Sequence, residues 1–361
     1  MQMRLTKGNI YMIRILAISF LLLMARPMYD SGHTRQKETI DMFVFSGRTF
    51  VCGIDLGDDM KGGHGLETGL SYEIVKRFAH EKRCDVSIMV GGRNVNYIDS
   101  LKVGSIDMLI THLEDIEDTE GIIVSHNLTD CSVMAVRTEM ESYIREMNEW
   151  IDAYTSSEDF ACMKELFARQ NDPIKLAGKG VRRQTISPYD TLFKQYAEEL
   201  GWDWRMLAAV VYQESKFSIN SMSYRGATGL MQVMPRTGTI YNIDNLFDPE
   251  NNLKAGTSHL KRLQGLYRNN GMTHEERIRF TLAAYNAGEG RINDCRSLAK
   301  SQNLNPDIWE EVAKVIPMMN DDTILQNENV MLGKFKGTET LAYVENVMDL
   351  YSAICMICPE I

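Results

Sequence analysis

Apolar runs alternate with helical stretches over the first half of the chain. Short buried strands are predicted at residues 49–54, 86–90 and 108–110. The pattern between and after these runs predicts helices at 70–80 and 97–103. A later apolar run, at 132–137, predicts a strand that returns to the same sheet. Strand, helix and strand in alternation are typical of an α/β domain.

The rest of the chain is helical in pattern. Helices are predicted at 139–170, and the following segment, 174–187, carries two glycines and four cations and is predicted to be a linker. A linker of this composition predicts few contacts between the domains on its two sides. Beyond it, Ser187 can cap a helix that has Pro188 in its first turn and Gly201 after its end.

A length of 361 residues is enough for two domains, since a domain takes roughly 150 residues. The predicted fold class is therefore a multidomain α+β protein, with an α/β domain in front and an all-α domain behind. Four segments follow from the patterns: an N-terminal signal peptide or anchor at 1–30, the front domain at 31–173, the linker at 174–187 and the rear domain at 188–361.

The N-terminus has the pattern of an export signal. Residues 15–25 carry no charge, three cations precede them (Arg4, Lys7 and Arg14), and Arg26 follows. An apolar stretch this short is below the roughly 20 residues that cross a bilayer, and basic residues in front of it are typical of secretory signals. An uncleaved membrane anchor and a buried core helix are the alternatives.

Charge and cysteine usage exclude several function classes. The chain has 39 Lys and Arg against 49 Asp and Glu, a net charge of −10, which disfavours binding to nucleic acid. The seven histidines are scattered, and among the seven cysteines only Cys355 and Cys358 have a metal-ligand or redox spacing. We therefore expect no metal and no cofactor.

One carboxylate stands out in the rear domain. Asp203 can cap a helix whose residues Leu207 and Val211 lie on one apolar stripe, and Glu214 falls on that stripe near the C-terminal end. Burial and the negative end of the helix dipole both favour the protonated acid, which is the form needed to protonate a glycosidic oxygen. The alternative is a structural Glu214 that caps the turn or pairs with Lys216 or Arg225.

Four ordered motifs decide between these interpretations. They are Gln-Glu-Ser at 213–215, Gly-Ala-Thr-Gly-Leu-Met-Gln at 226–232, Ala-Ala-Tyr-Asn-Ala-Gly at 283–288 and Glu-Thr-Leu-Ala-Tyr-Val at 339–344. Together they resemble the catalytic domain of family 1 soluble lytic transglycosylases, which are related to goose-type lysozyme. The resemblance implies an all-α, lysozyme-like fold for the rear domain, with Glu214 as the sole acid and base.

The resemblance also implies a set of substrate-binding residues. These are Ser215, Gly229, Met231, Gln232, Tyr285, Asn286 and Tyr343. Met231 and Gln232 would line the cleft with an apolar face and an amide, and the Tyr343 hydroxyl would lie near the catalytic acid. For Tyr285, which continues the apolar face of its helix, a purely structural role is the alternative.

The front domain resembles the periplasmic solute-binding domains that capture amino acids. The resemblance rests on residues 69–79 and 98–109, which match that family's first helix and a later helix and strand. The region is shortened, with most of a second lobe missing, so a structural or regulatory remnant is expected and its ligand is unknown. A solute-binding domain before a transglycosylase domain resembles membrane-bound lytic murein transglycosylases. It implies an exported protein of the periplasm or cell envelope, with the N-terminus as the point of membrane association and the outer membrane as the candidate membrane.

The predicted function is lytic cleavage of peptidoglycan glycan strands. The resemblance implies that the bond between N-acetylmuramic acid and N-acetylglucosamine is broken without water, leaving a 1,6-anhydro sugar. A lysozyme-like hydrolase is one alternative, and it would need a second carboxylate. The sequence candidates for this carboxylate are Asp244, Asp248, Glu250 and Glu289. A non-catalytic peptidoglycan-binding or sensing protein is the other alternative.

Overall fold

The computed structural model describes residues 45–57, 66–91, 95–168, 172–268, 271–332 and 334–360. The predicted signal or anchor at 1–30 lies outside the described residues, and so does most of the glycine-rich segment before Leu66. Among the described residues, no helix is both long enough and apolar enough to span a bilayer. All seven cysteines, Cys355 and Cys358 included, are free thiols.

A five-stranded mixed sheet forms the centre of the front domain. Its strands are β1 (Thr49–Asp55), β2 (Asp85–Val90), β3 (Met108–His112), β4 (Ile122–Asn127) and β5 (Ser132–Arg137). The order across the sheet is β2-β1-β3-β5-β4, in which β1 is parallel to β2 and β3, and β5 is antiparallel to β3 and β4. The predicted strands are confirmed, each extended by one or two residues at most.

Four helices complete the front domain. They are α1 (Glu67–Lys82), α2 (Tyr97–Lys102), α3 (Glu141–Thr155) and α4 (Glu158–Ala168). Helix α1 packs on β1 and β2, and α3 packs on β4. Because α1 joins two parallel strands, it must cross over the sheet, and its first turn lies at the carboxyl edge of β1.

The chain beyond the front domain is helical. Its helices are α5 (Pro173–Gly178), α6 (Asp190–Leu200), α7 (Trp204–Ser215), α8 (Pro235–Ile240), α9 (Pro249–Leu266), α10 (His274–Ala287), α11 (Glu289–Ser301), α12 (Trp309–Ala313) and α13 (Gly337–Ile357). Helix α7 is the central element, because Met206 to Val211 are all buried. The long C-terminal helix α13 packs against α5, α7 and α10.

The predicted helix ends are confirmed in part. Asp203 caps α7 by accepting a hydrogen bond from the Arg205 N–H at 2.9 Å. Thr273 caps α10 through the Glu276 N–H, but the Glu276 carboxylate accepts from the Trp309 N–H instead of closing a capping box. Helix α6 begins at Asp190, two residues later than predicted.

The expectation of few contacts between the domains is wrong. The segment predicted to be a linker contains most of α5, which packs on α13, and the first half of α1 is hydrogen-bonded to the rear domain. The Tyr72 hydroxyl donates to Asp248, and the Asn220 amide donates to the Thr68 hydroxyl at 3.0 Å. Residues 48–361 form one compact unit.

The close approach of α1 to the rear domain depends on Gly69. A Cβ at this position would lie 2.7 Å from the Phe167 ring and 2.7 Å from the Tyr189 hydroxyl. We therefore expect Gly69→Ala to lower the free energy of unfolding by about 1–2 kcal/mol, since overpacking outweighs the better helix propensity of alanine. In the matched control Gly265→Ala, in α9, a Cβ meets nothing within 4 Å. In urea unfolding, Gly265→Ala should have the same free energy of unfolding as the wild type or a higher one. Equal free energies of unfolding for Gly69→Ala and Gly265→Ala would contradict the tight contact at Gly69.

Candidate active site

Glu214 lies in the last turn of α7, one residue before the helix ends. The helix stops because Lys216 adopts a left-handed conformation, with φ 55°, and closes the turn. Glu214 is half-buried at this position, with its carboxyl largely removed from solvent. Burial raises the pKa of its carboxyl from the usual 4.5 to about 7, against the opposing effect of one hydrogen bond. At neutral pH a large fraction of this carboxyl is therefore protonated.

Among the described residues, the hydrogen bond to the Glu214 carboxyl comes from a distant helix. The Tyr343 hydroxyl, on α13, donates to Glu214 Oε1 at 2.6 Å, across 129 residues of sequence. A short bond to a carboxylate stabilises the charged form and limits the rise of the pKa that burial causes. The structure thus brings Tyr343 to the carboxyl of Glu214, where the sequence resemblance expects it.

No ion pair holds Glu214 within the part of the chain that the structure describes. The Lys216 ammonium instead lies over the Tyr212 ring, 4.1 Å from its centroid. Neighbouring carboxylates do not contribute to the raised pKa of Glu214, whose cause is burial. These features are opposite to those expected of a structural ion-pair partner.

The four carboxylates considered for a hydrolase have other surroundings. Asp248 caps α9 through the Asn251 N–H at 2.7 Å and also accepts from Tyr72. Glu289 pairs with Arg262 at 2.9 Å. Asp244 and Glu250 are exposed. Each of the four is therefore either occupied by a capping or ion-pair contact or exposed.

A tight loop, residues 226–234, lies against the helix that carries Glu214. The Ser215 hydroxyl donates to the Leu230 carbonyl at 2.8 Å, and the Tyr285 hydroxyl of α10 donates to the Met231 carbonyl at 2.8 Å. Gly229 and Gln232 both have positive φ, 74° and 48°, so the loop turns sharply. Side chains of two helices therefore bind consecutive carbonyls of this loop.

Several predicted substrate-binding residues have partners within the loop itself. Met231 is fully buried and packs on Gly256, so it does not line a cleft. The Gln232 amide group donates to the Ser221 and Gly229 carbonyls, both at 3.0 Å. Ser215 is buried and hydrogen-bonded to the loop. These side chains shape the loop from inside, because its backbone leaves many polar groups that need partners.

Gly229 has an internal role as well. A Cβ on this residue would collide with the Asn252 side chain and the Leu246 carbonyl. The packing of the loop onto α9 therefore requires a glycine at this position. Gly226 differs from it, because a Cβ there would meet nothing within 4 Å.

Asn252 is the residue of this region that the sequence motifs did not include. It is buried on α9, where its Oδ1 accepts from the Met231 N–H at 2.8 Å. Its Nδ2 donates to the carbonyls of Thr228 and Leu246 at 2.8 and 2.7 Å. One sequence signal could have identified Asn252, namely an amide residue next to Leu253 on the apolar face of a helix. A buried polar side chain at such a position requires hydrogen-bond partners.

Asn286 and Tyr285 point in different directions from the end of α10. Asn286 is exposed, accepts from the Thr340 hydroxyl at 2.9 Å, and borders a cleft of about 430 Å³. Tyr285 is engaged with the loop, which supports the structural alternative for this residue. The cleft is also lined by four cations, which are Arg225, Arg291, Lys334 and Lys336.

The raised pKa of Glu214 predicts a stability change with pH. Between pH 4.5 and about 7 the folded protein keeps a proton on Glu214 that the unfolded chain has lost, so stability falls as pH rises through this range. Glu214→Gln removes this effect, and we expect it to be more stable than the wild type at pH 8, by up to roughly 3 kcal/mol. Below pH 4.5 the difference should vanish.

Glu289→Gln is the control for this measurement. Hydrogen bonds from the backbone and Arg262 outweigh partial burial and lower the pKa of Glu289, so its neutral variant should be slightly less stable at pH 8. Urea unfolding at pH 4 and pH 8 measures both effects, which are a gain in stability for Glu214→Gln and a small loss for Glu289→Gln at pH 8. A Glu214→Gln variant that loses stability at pH 8 would show that the carboxylate is held by an ion pair.

Comparisons with known proteins agree with this site. Residues 191–308 match the family model of the transglycosylase SLT domain, and this span includes Glu214, the loop at 226–234, Asn252 and Tyr285. Two curated relatives are each a membrane-bound lytic murein transglycosylase F. The relative from Pseudomonas putida is 29% identical over 60% of this chain and 45% of its own length. The relative from Marinobacter nauticus is 34% identical over 47% of this chain and 33% of its own length.

A solved structure is matched at a lower level. The 70 kDa soluble lytic transglycosylase of Escherichia coli has a TM-score of 0.38 and 24% identity, covering 62% of this chain and 35% of its own length. The matched part of this chain thus spans less than half of each of these proteins. The chain contains a region similar to the transglycosylase SLT domain, and it resembles membrane-bound lytic murein transglycosylase F.

Proposed function

We propose that the rear domain is a peptidoglycan lytic transglycosylase with Glu214 as its catalytic acid and base. The observation that carries this proposal is the buried carboxyl of Glu214, whose pKa burial raises to about 7 and which forms no ion pair within the described residues. A carboxylic acid that keeps its proton near neutral pH can give it to a glycosidic oxygen. The similarity to the SLT domain supplies the substrate class.

The reaction takes two proton transfers through one residue. Glu214 first donates its proton to the oxygen between N-acetylmuramic acid and N-acetylglucosamine, and the bond from C1 to this oxygen breaks. The Glu214 carboxylate then removes the proton of the muramoyl 6-hydroxyl while that oxygen bonds to C1. Glu214 ends protonated, no water is consumed, and the product carries a 1,6-anhydro ring.

Tyr343 has a defined part in this cycle. Its hydroxyl donates to Glu214 Oε1 and stabilises the carboxylate that exists between the two transfers. The hydrogen bond also keeps the pKa near neutrality, since burial alone would raise it further. Tyr343 therefore balances the residue between its acid and base states.

The loop at 226–234 positions the substrate through its shape. Ser215, Gln232 and Tyr285 hold its carbonyls, while Gly229 and Met231 pack it onto α9. Asn286, exposed at the border of the cationic cleft, remains the predicted residue that contacts a glycan strand directly. The glycan strand is accordingly the proposed partner, and no cofactor takes part in the mechanism.

The finer parts of the architecture belong to the same proposal. We infer a lysozyme-like fold for the rear domain at 188–361 and a shortened solute-binding fold for the front domain at 31–173. The parallel β1, β2 and β3 with their crossover helix support the second inference. Export to the cell envelope, with the segment 1–30 as a signal or anchor, is supported by the position of peptidoglycan outside the cytoplasm.

Replacement of Glu214 tests the reaction directly. Glu214→Gln should lower the release of 1,6-anhydromuropeptides from purified sacculi by at least about 10⁴-fold, since general acid–base catalysis contributes about 10²–10⁴-fold and both steps use this residue. Sedimentation with sacculi should show that binding is retained. Glu289→Gln, which removes a partly exposed carboxylate paired with Arg262, should keep nearly full activity.

Mass spectrometry of the products separates the three function classes. Anhydro ends indicate a lytic transglycosylase, reducing ends indicate a hydrolase, and no cleavage indicates a binding or sensing protein. Reducing ends that disappear in Glu289→Gln would assign this residue as the second carboxylate of a hydrolase. Retained cleavage in Glu214→Gln would exclude a mechanism in which this residue transfers both protons.

The pH profile is the second test. Because the acid must begin protonated, kcat/KM should fall as pH rises through about 7, where Glu214 loses its proton. In Tyr343→Phe the carboxylate loses its hydrogen bond, so the falling limb should move upward by about one pH unit. The reference variant is Tyr351→Phe on the same helix, whose hydroxyl donates to Asp203 and not to Glu214. An unmoved limb in Tyr343→Phe would contradict the assigned role.

A further inference from the structure

Three potential metal ligands meet at one edge of the front domain. Glu67 is the first residue of α1, His112 is the last residue of β3, and Cys131 lies in the turn between β4 and β5. Their ligand atoms all lie within 4.8 Å of one another. The turn is held in place by backbone hydrogen bonds, including one from the Leu113 N–H to the Cys131 carbonyl at 3.1 Å.

The distances suit a small divalent cation. His112 Nε2 lies 3.2 Å from Glu67 Oε2, and Cys131 Sγ lies 3.5 Å from Glu67 Oε1. Zinc binds nitrogen and oxygen at about 2.0–2.2 Å and sulfur at about 2.3 Å, so adjacent ligand atoms in a tetrahedral site are roughly 3.3–3.8 Å apart. The two separations from Glu67, one from each of its oxygens, are therefore close to this range, and all the ligand atoms lie within 4.8 Å of one another.

A second set of residues orients these ligands. The other ring nitrogen of the histidine, His112 Nδ1, faces Asp115 Oδ2 at 3.7 Å. The Thr129 hydroxyl donates to Glu67 Oε1 at 2.8 Å. Metal-binding histidines usually direct the second nitrogen at a carboxylate, and metal-binding carboxylates are themselves hydrogen-bonded. An ordinary ion pair between His112 and Glu67 would require neither the thiol nor Asp115.

The cluster is open to solvent on one side. Glu67 is buried and His112 is half-buried, whereas Cys131 is exposed. A small cavity of about 100 Å³ lies beside it, lined by Glu67, Thr129, Cys131 and Lys164 among others. This volume holds a few water molecules, since one water occupies about 30 Å³ of the liquid.

We propose that Glu67, His112 and Cys131 bind a zinc ion. Glutamate, histidine and a cysteine thiolate are all ligands of zinc, and their mixture of hard and soft atoms disfavours Mg²⁺ and Ca²⁺. Three protein ligands leave a fourth position open toward the cavity, as in zinc sites that take a water or an external ligand. The site is separate from Glu214 and does not depend on the function proposed for the rear domain.

Zinc titration of the reduced full chain tests this proposal. Wild-type protein should bind about one Zn²⁺ by calorimetry, and Cys131→Ser should weaken the affinity by more than 100-fold. Cys162→Ser is the matched control, because Cys162 is also an exposed thiol of the front domain but belongs to no such cluster within the described residues. With Co²⁺ as the probe, a thiolate-to-cobalt charge-transfer band should form in wild type and Cys162→Ser, and not in Cys131→Ser.

Asp115→Asn is a second test, for which we expect a smaller loss of metal affinity. Loss of a residue that orients a ligand typically costs about 10–100-fold in metal affinity, so this variant should fall between wild type and Cys131→Ser. Melting curves without metal show that each variant is folded. Wild-type protein without tight zinc binding, or Cys131→Ser with unchanged affinity, would overturn the proposal. Binding that is lost only in a Cys355→Ser/Cys358→Ser variant would place the ion at the C-terminus and would equally overturn it.

Discussion

The chemistry proposed for the rear domain depends on one largely buried carboxyl group, which has one hydrogen bond within the described residues. Removing Glu214 from water makes its charged form costly, and the Tyr343 hydroxyl returns only part of the lost stabilisation, so the pKa settles near 7. This balance requires α7 and α13 to be held at a fixed separation. Helix α13 achieves this because it packs against α5, α7 and α10 along its length. The polar chemistry of the site is therefore set by apolar packing some distance from it.

The loop beside Glu214 shows how polar residues can shape a candidate site from within. Its backbone is bound by Ser215 from α7, Asn252 from α9 and Tyr285 from α10, so three helices fix its path. Each bond satisfies a peptide group that would otherwise be buried without a partner. Because these side chains are already hydrogen-bonded to the loop, the part of this region that is open to a ligand is the exposed surface near Asn286 and the cationic cleft.

Local features of this chain were predictable from sequence, and features that depend on distant residues were not. The position of Glu214 on the apolar stripe of its helix, the cap at Asp203 and four of the five strands follow from patterns over a few residues, whereas β4 was not predicted. The inward orientation of Met231 depends on α9, which packs beneath it, and no local pattern distinguishes a buried methionine from one that lines a cleft. The proposed zinc ligands are separated by 45 and 64 residues, a spacing without any recognisable motif. The linker prediction is wrong for a similar reason, since glycines and cations at 174–187 do not show that α5 packs on α13.

The start of α1 links the two domains through adjacent residues. Glu67 belongs to the proposed zinc site, and the next residue, Thr68, accepts a hydrogen bond from Asn220 in the segment that follows α7. The Asn220 side chain is held in turn by the Ser218 hydroxyl, three residues beyond Ser215. Gly69 then allows the helix to lie directly against Tyr189 of the rear domain. A metal ion that fixes Glu67 would therefore restrict the same helical turn that contacts the rear domain, close in sequence and in space to the end of the helix that carries Glu214.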